Sequence, residues 1–165
     1  MALNTQGRLI SRFTENLPAG RLEWIGLRTE RRGRIEVVEQ TEAIAELGLD
    51  GDRRCQSSSG SARQVTIISR EYLGQIAHFL GRDTIDPVLV RRNLVVSGIN
   101  LSALRHQRFC IGTAEFEAGA ICHPCSRMEE ALRPGAVAAM LGHGGVCARV
   151  IKSGQVRVGD AVLKI

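Results

Sequence analysis

The residues best suited to chemistry lie together in Ala120-Ile121-Cys122-His123-Pro124-Cys125-Ser126-Arg127-Met128-Glu129-Glu130. Ser126 and Glu129, ahead of Ala131 and Leu132, have the spacing of a capping box, in which the hydroxyl and the carboxylate each satisfy an orphan N–H of a helix start. Cys125 is then expected just outside the first turn. There the helix N-terminus contributes partial positive charge and Arg127 a full one, so the thiol pKa is expected below the free value of about 8.5. A thiolate so placed attacks electrophiles or binds a soft metal, and Pro124 stiffens the chain that carries it. Most cysteines are small buried hydrophobes without chemistry, and Cys122, outside the capping box, is the weaker candidate of the two.

Two other readings fit the same stretch less well. Cys122 to Cys125 has the C-x-x-C spacing of thiol redox proteins, but it comes late in a strand-rich chain instead of after the first strand of a βαβ unit. A zinc site would have to gather Cys122, His123, Cys125 and the distant Cys147, with no second C-x-x-C or H-x-x-x-H to help.

Other segments bring charge. Arg91-Arg92-Asn93 offers two guanidiniums and an amide where phosphate oxygens could be held, although a strand would point Arg91 and Arg92 to opposite faces and let at most one reach a pocket. Gly48-Leu49-Asp50-Gly51-Asp52-Arg53 reads as a plain turn with Asp52 paired to Arg53. His143, between Gly142 and Gly144-Gly145, is an anion or metal contact or, more commonly for such a position, an exposed loop residue. The run Ser57 to Ser61 reads as a mobile loop.

Length and composition bound what can position these groups. A chain of 165 residues is one domain by prior, large enough to bury roughly 70% of its unfolded surface without a disulfide or structural metal. With 44% hydrophobic and 24% charged residues it is an ordinary globular composition. No apolar run approaches the ~20 residues of a membrane helix, and the first twenty residues lack a signal-peptide core, so no membrane association and a cytoplasmic location are expected. The five cysteines are odd in number and unevenly spaced, which favours reduced thiols. The net charge of +5 is carried by arginine, since Lys152 and Lys164 are the only lysines. Arginine suits bidentate capture of phosphate or carboxylate. Nucleic acid is not the expected partner, because one Trp, one Tyr and four Phe leave little for bases to stack on.

The elements are mostly strands. Residues 1–20 form a tail or short surface helix. Segments 22–28 and 34–39 form a hairpin around Glu30-Arg31-Arg32-Gly33, and a helical-looking segment precedes the turn at Gly48. A strand over 64–68 leads into Ser69, an N-cap for a helix whose apolar positions run from Tyr72 to Leu80. Strands follow over 89–96, 108–111 and 114–117. A short helix starts at Arg127, a second turn spans 136–141, and strands 146–151, 155–158 and 161–165 close the chain. Short strands with tight glycine turns and two or three brief helices predict a mainly β fold, a closed or nearly closed β-barrel over 21–165.

Taken together, Gly48 to Arg53, Val65 to Ser69, Arg91 to Gly98, Cys122 to Met128, Gly142 to Gly145 and Val156 to Asp160 resemble, in order and spacing, the MOSC domain found at the C-terminus of molybdenum cofactor sulfurases. The chain is similar to a small stand-alone member. The resemblance implies a β-barrel and a single essential cysteine at Cys125, the ligand to molybdenum in members that hold molybdopterin. It implies that Arg91 and Asn93 grip the pterin and its phosphate, with Ser69 offering its hydroxyl and N–H, and that Arg127 and His143 belong to the cofactor-binding set. Arg92 departs from the proline of the amidoxime-reducing members. Two activities are implied: reduction of N-hydroxylated substrates with a partner reductase, or sulfur carriage as a persulfide on Cys125. Pyridoxal phosphate is expected to enter the second only through a partner cysteine desulfurase.

Overall fold

The computed structural model describes residues 5–57 and 59–165. After a short helix α1 (Thr5–Ser11), the chain forms β1 (Gly20–Arg28), β2 (Ile35–Val38), β3 (Gln40–Ile44), β4 (Gly48–Leu49) and β5 (Val65–Ser69). Helices α2 (Arg70–Phe79) and α3 (Pro87–Val90) lead to β6 (Leu94–Ser97), β7 (Arg108–Ile111) and β8 (Ala114–Ile121). Helices α4 (Ser126–Ala131) and α5 (Ala136–Met140) precede β9 (Val146–Lys152), β10 (Gly154–Arg157) and β11 (Ala161–Lys164).

The barrel closes through β1, the longest strand. One edge of β1 pairs antiparallel with β6; the other is shared, Gly20 and Arg21 pairing with β11 and Ile25 to Arg28 with β2. The ring β1-β6-β5-β9-β8-β7-β11 is therefore complete with seven strands, β2 hangs on its margin, and β10-β3-β4 forms a separate small sheet. Closure leaves the ring no free edge. The one parallel pair in the ring, β5 with β6, is joined by the α2–α3 crossover, as parallel strands require.

Strand alternation divides the core. Val65, Ile67, Leu94 and Val96 point into the barrel with Phe109, Phe116 and Ile111, while Ile68 and Val95 point outward beneath Leu73, Ile76, Met128 and Met140 of the helices. Every residue of β5 is buried because it is covered on both faces.

The predicted barrel is present, with differences in detail. Five short α-helices form instead of two or three. The helical-looking segment before Gly48 is the strand β3, whose hydrogen bonds to β10 outweigh its local propensity. The predicted strand over 89–96 is a helical turn, Pro87–Val90, capped by the Asp86 carboxylate on the N–H of Val88, and strand geometry begins only at Leu94. Residues 5–11 are helical, and Gln107 Nε2 donates to the carbonyl of Gly7, tying the segment to the barrel; residues 1–4, and Ser58 of the serine loop, lie outside the described residues.

Candidate functional site

The connections that leave β1, β4 and β8 and those that enter β5 and β6 converge on a cleft of about 270 Å³. Arg28, Arg53, Arg54 and Arg63 contribute from the first part of the chain, Arg91 and Arg92 from the approach to β6, and His123, Cys125, Arg127 and Met128 from the β8–α4 connection. Arg32, Arg91 and Arg127 are shared with an adjoining cavity of about 420 Å³ that also touches Ser126, Glu130 and Ala131. The two form one arginine-walled depression.

Its back wall is a saturated polar knot. The Asp52 carboxylate accepts from Arg28 N at 2.9 Å, Arg28 Nε at 3.0 Å, Arg28 Nη2 at 3.2 Å, Arg54 N at 3.0 Å and Asn93 Nδ2 at 2.8 Å. Burial pushes the Asp52 pKa up, but the hydrogen bonds and charge of Arg28 prevail and hold it below the ordinary value. Asn93 Oδ1 accepts from Arg28 Nη2 and from the N–H and hydroxyl of Thr66, while Nδ2 also donates to Gly26 O. Asp52 is thus paired with Arg28 across the fold, not with Arg53 beside it.

The guanidiniums in front of this knot are differently placed. Arg32, Arg53, Arg54, Arg63, Arg91 and Arg127 have no carboxylate partner among the described ion pairs. Arg54 and Arg91 are held below the usual arginine pKa, first by burial and then by neighbouring guanidiniums. Arg32 and Arg91 both have left-handed backbone, φ 63° and 54°, and Arg91 Nη1 donates to Gly33 O at 2.9 Å. Residues other than glycine are uncommon in that region, so the two arginines are held at the rim by their surroundings. The helical turn before Arg91 is also why Arg91 and Arg92 reach the same cleft, where a strand would have separated them.

Cys125 is exposed in this cleft, with extended backbone as the N-cap of α4. Ser126 is the first helical residue, not the cap, and no side chain caps α4. Glu129 serves the next helix instead: its carboxylate accepts from the N–H groups of Gly135, Ala136 and Val137 at 2.6, 3.3 and 3.0 Å. The capping box is therefore absent, although Cys125 keeps its place at the helix entrance.

Behind Cys125 lies a second thiol. Cys122 is 1% exposed, and Arg63 Nη2 is 3.5 Å from its sulfur. The Cys147 side chain, with Arg92, Arg63 and Arg28, outweighs burial and lowers the Cys122 pKa, which favours its thiolate. Cys147 is driven the other way by the neighbouring Cys122 and by burial. Arg92 closes the floor, donating to Gly144 O, Val90 O and Cys122 O at 2.8, 2.9 and 3.3 Å.

Of the expected residues, Cys125, Arg91 and Arg127 meet in the cleft. Asn93 is fully buried behind it, with its amide engaged by protein groups. Ser69 is buried elsewhere as the cap of α2, its Oγ accepting from Tyr72 N. His143 packs its ring against Tyr72 and Phe79 of α2. The glycines beside it serve close approach: a Cβ on Gly144 would stand 2.1 Å from Cys122 O, and one on Gly145 2.0 Å from Ile67 O. Neither Ser69 nor His143 lines the cleft. Among the described residues no cluster of three or more His, Cys, Asp or Glu comes together as metal ligands, so the four donors of a zinc site are not gathered. Sequence reasoning missed Arg28, Arg32, Arg54 and Arg63; the visible signal was the preference for arginine over lysine.

The MOSC domain family model matches residues 51–163. No curated protein matches the chain in sequence. Among solved structures, YuaD protein from Bacillus subtilis superposes with a TM-score of 0.76 at 22% identity, covering 88% of this chain and 94% of that one. YiiM from Escherichia coli gives 0.64 at 21% identity over 88% of this chain and 69% of that one. YiiM from Geobacillus stearothermophilus gives 0.67 at 14% identity over 88% and 75%. At these identities the likeness speaks to the fold.

Proposed function

The chain belongs to the MOSC domain family, and from that premise we propose that it binds a molybdenum cofactor in the arginine-walled cleft, with Cys125 as the protein ligand to the metal. The observation that carries the reading is the coincidence of one exposed thiol with seven guanidiniums, Arg92 among them, that have no described carboxylate partner. Such a surface lacks an anion, and a phosphate on a pterin supplies one. A soft thiolate is a suitable donor to molybdenum. The absence of a His, Cys, Asp or Glu cluster among the described residues fits a metal whose other donors arrive with its own organic group.

In this reading Arg91 and Arg127 hold the phosphate from the two sides of the shared wall. Arg63 and Arg92 keep the floor positive, and the Asp52–Arg28–Asn93 knot keeps the wall rigid, so that Asn93 acts as a positioning residue without touching the phosphate. When bound, the group would supply two-electron chemistry suited to reducing the N–O bond of an N-hydroxylated substrate, with electrons from a partner reductase. The chain's own part is to orient the metal through Cys125 and to neutralise the phosphate.

Purification from a cofactor-competent host should give molybdenum and pterin in proportion to the chain. Cys125→Ala should lose the molybdenum while its circular dichroism stays that of the parent and its melting temperature that of the cofactor-free parent. Full molybdenum content in that variant overturns the assignment. Exposure of Cys125 also suits a persulfide carrier charged by a cysteine desulfurase; a stable gain of one sulfur on Cys125, with no bound pterin, would favour that reading instead.

A further inference from the structure

The proposed cofactor chemistry uses one sulfur, and Arg63 and Arg92 of the cleft wall also touch a second cysteine, Cys122. Cys122 and Cys147 are 1% and 4% exposed, and both are free thiols. Their proximity is built by the β8–β9 pair: Ile121 faces Val146, and Cys122 N donates to Gly145 O at 2.8 Å. Alternation puts residue 147 on the same face as residue 145, so Cys147 is the diagonal neighbour of Cys122 on that face. Arg63, which lines the cleft, touches the Cys122 sulfur from the other side. Two buried thiols stand on one face of paired strands, and one of them is touched by an arginine of an open cleft.

We propose that Cys122 and Cys147 form an oxidant-responsive dithiol, closed to a disulfide by a peroxide that enters through the cleft past Arg63. The Cys122 thiolate attacks one peroxide oxygen; the O–O bond breaks, hydroxide leaves and takes up a proton as water, and Cys122 becomes a sulfenic acid. Cys147 then attacks that sulfur; the S–O bond breaks, the S–S bond forms, and the hydroxide leaves with the Cys147 proton as a second water. Two electrons from the two sulfurs reduce one peroxide to two waters. The order follows from the site: Arg63, 3.5 Å from the Cys122 sulfur, and Arg92 favour the ionised form of Cys122, while Cys147 is pushed toward its protonated form by the neighbouring Cys122 and by burial. Conversion of the thiolate to a neutral sulfenic acid removes the first of the restraints on Cys147. The disulfide also removes the negative charge facing Arg63 and Arg92, so the cleft becomes more positive.

The inference stands apart from the molybdenum reading and is tested apart from it. The full chain carrying Cys125→Ser, which takes away the exposed competitor, is treated with hydrogen peroxide, denatured, alkylated and mapped by mass spectrometry without reduction. The expected result is a Cys122–Cys147 linked peptide and a loss of two hydrogens; adding Cys122→Ser should abolish the link, and Cys147→Ser should leave a dimedone-reactive sulfenic acid on Cys122. In the Cys125→Ser chain, inorganic phosphate measured by calorimetry at low salt should bind more tightly to the oxidised form. Cys122 and Cys147 both remaining alkylatable after peroxide, or linked only to other cysteines, would overturn the pair, and equal phosphate affinity would overturn its coupling to the cleft.

Discussion

Asp52 decides the charge balance of the cleft although no ligand could reach its oxygens. Its side chain is 1% exposed and that of Arg28 is 8% exposed, so the pair is a buried one. Removing one partner of a buried pair leaves an uncompensated charge, at a cost of about 3–5 kcal/mol. Asp52→Asn should therefore lose stability on that scale in urea unfolding, and a change within experimental scatter would show that Arg28 is satisfied by other means. The same carboxyl sets an acid limit. Because its folded pKa is depressed, its contribution is complete above the ordinary value of 3.8 and is lost as pH falls through the folded one. The parent should accordingly lose stability more steeply than Asp52→Asn below pH 3.8, read by unfolding at stepped pH.

Among elements, the α4–α5 pair shows how a short helix is held when it cannot hold itself. α5 has five residues and begins at Gly135 with left-handed backbone and no cap of its own. Glu129 supplies the cap from the preceding helix, its two oxygens accepting from the N–H groups of Gly135 and Val137 and sharing that of Ala136 with Arg133 O, near the positive end of the α5 dipole. Glu129→Ala should cost about 1–2 kcal/mol, with Glu129→Gln retaining part of the contribution through its amide oxygen. Thermal unfolding of the two variants checks this; equal melting points for the parent and the Ala variant would mean that packing of Met140 and Ala136 alone holds α5. The consequence reaches the site, since α4 carries Arg127 and is entered through Cys125.

Over the whole molecule, closure of the barrel brings arginines from widely separated stretches, Arg32 to Arg127, onto one surface. Like charges 4 Å apart repel by roughly 1 kcal/mol in water and 4 kcal/mol at an effective dielectric of 20, so an apo chain with this surface should be stabilised by any anion that fits. Phosphate at about ten times its dissociation constant should add about 1.4 kcal/mol, a rise in Tm of a few degrees. The rise should exceed that from sodium chloride of equal ionic strength and shrink in Arg91→Ala; a phosphate effect no larger than that of chloride would mean that the guanidiniums act only as a diffuse charge. None of the helices among the described residues is long and apolar enough to cross a membrane.

Local pattern in the sequence determined most of the strands, the β1–β2 hairpin, the cap at Ser69, the barrel class and the place of Cys125 at a helix entrance. Each of these depends on neighbours within a few residues, where side-chain alternation, turn chemistry and caps act. Tertiary structure decided the rest. Which carboxylate takes Arg28, whether Glu129 caps its own helix or the next, whether Arg91 and Arg92 part or converge, and which cysteine meets Cys147 all depend on groups brought together from far along the chain. The physical reason is that charge and hydrogen-bond partners are chosen by distance in space and by the cost of burying them unpaired, and neither quantity exists until the ring of strands has closed.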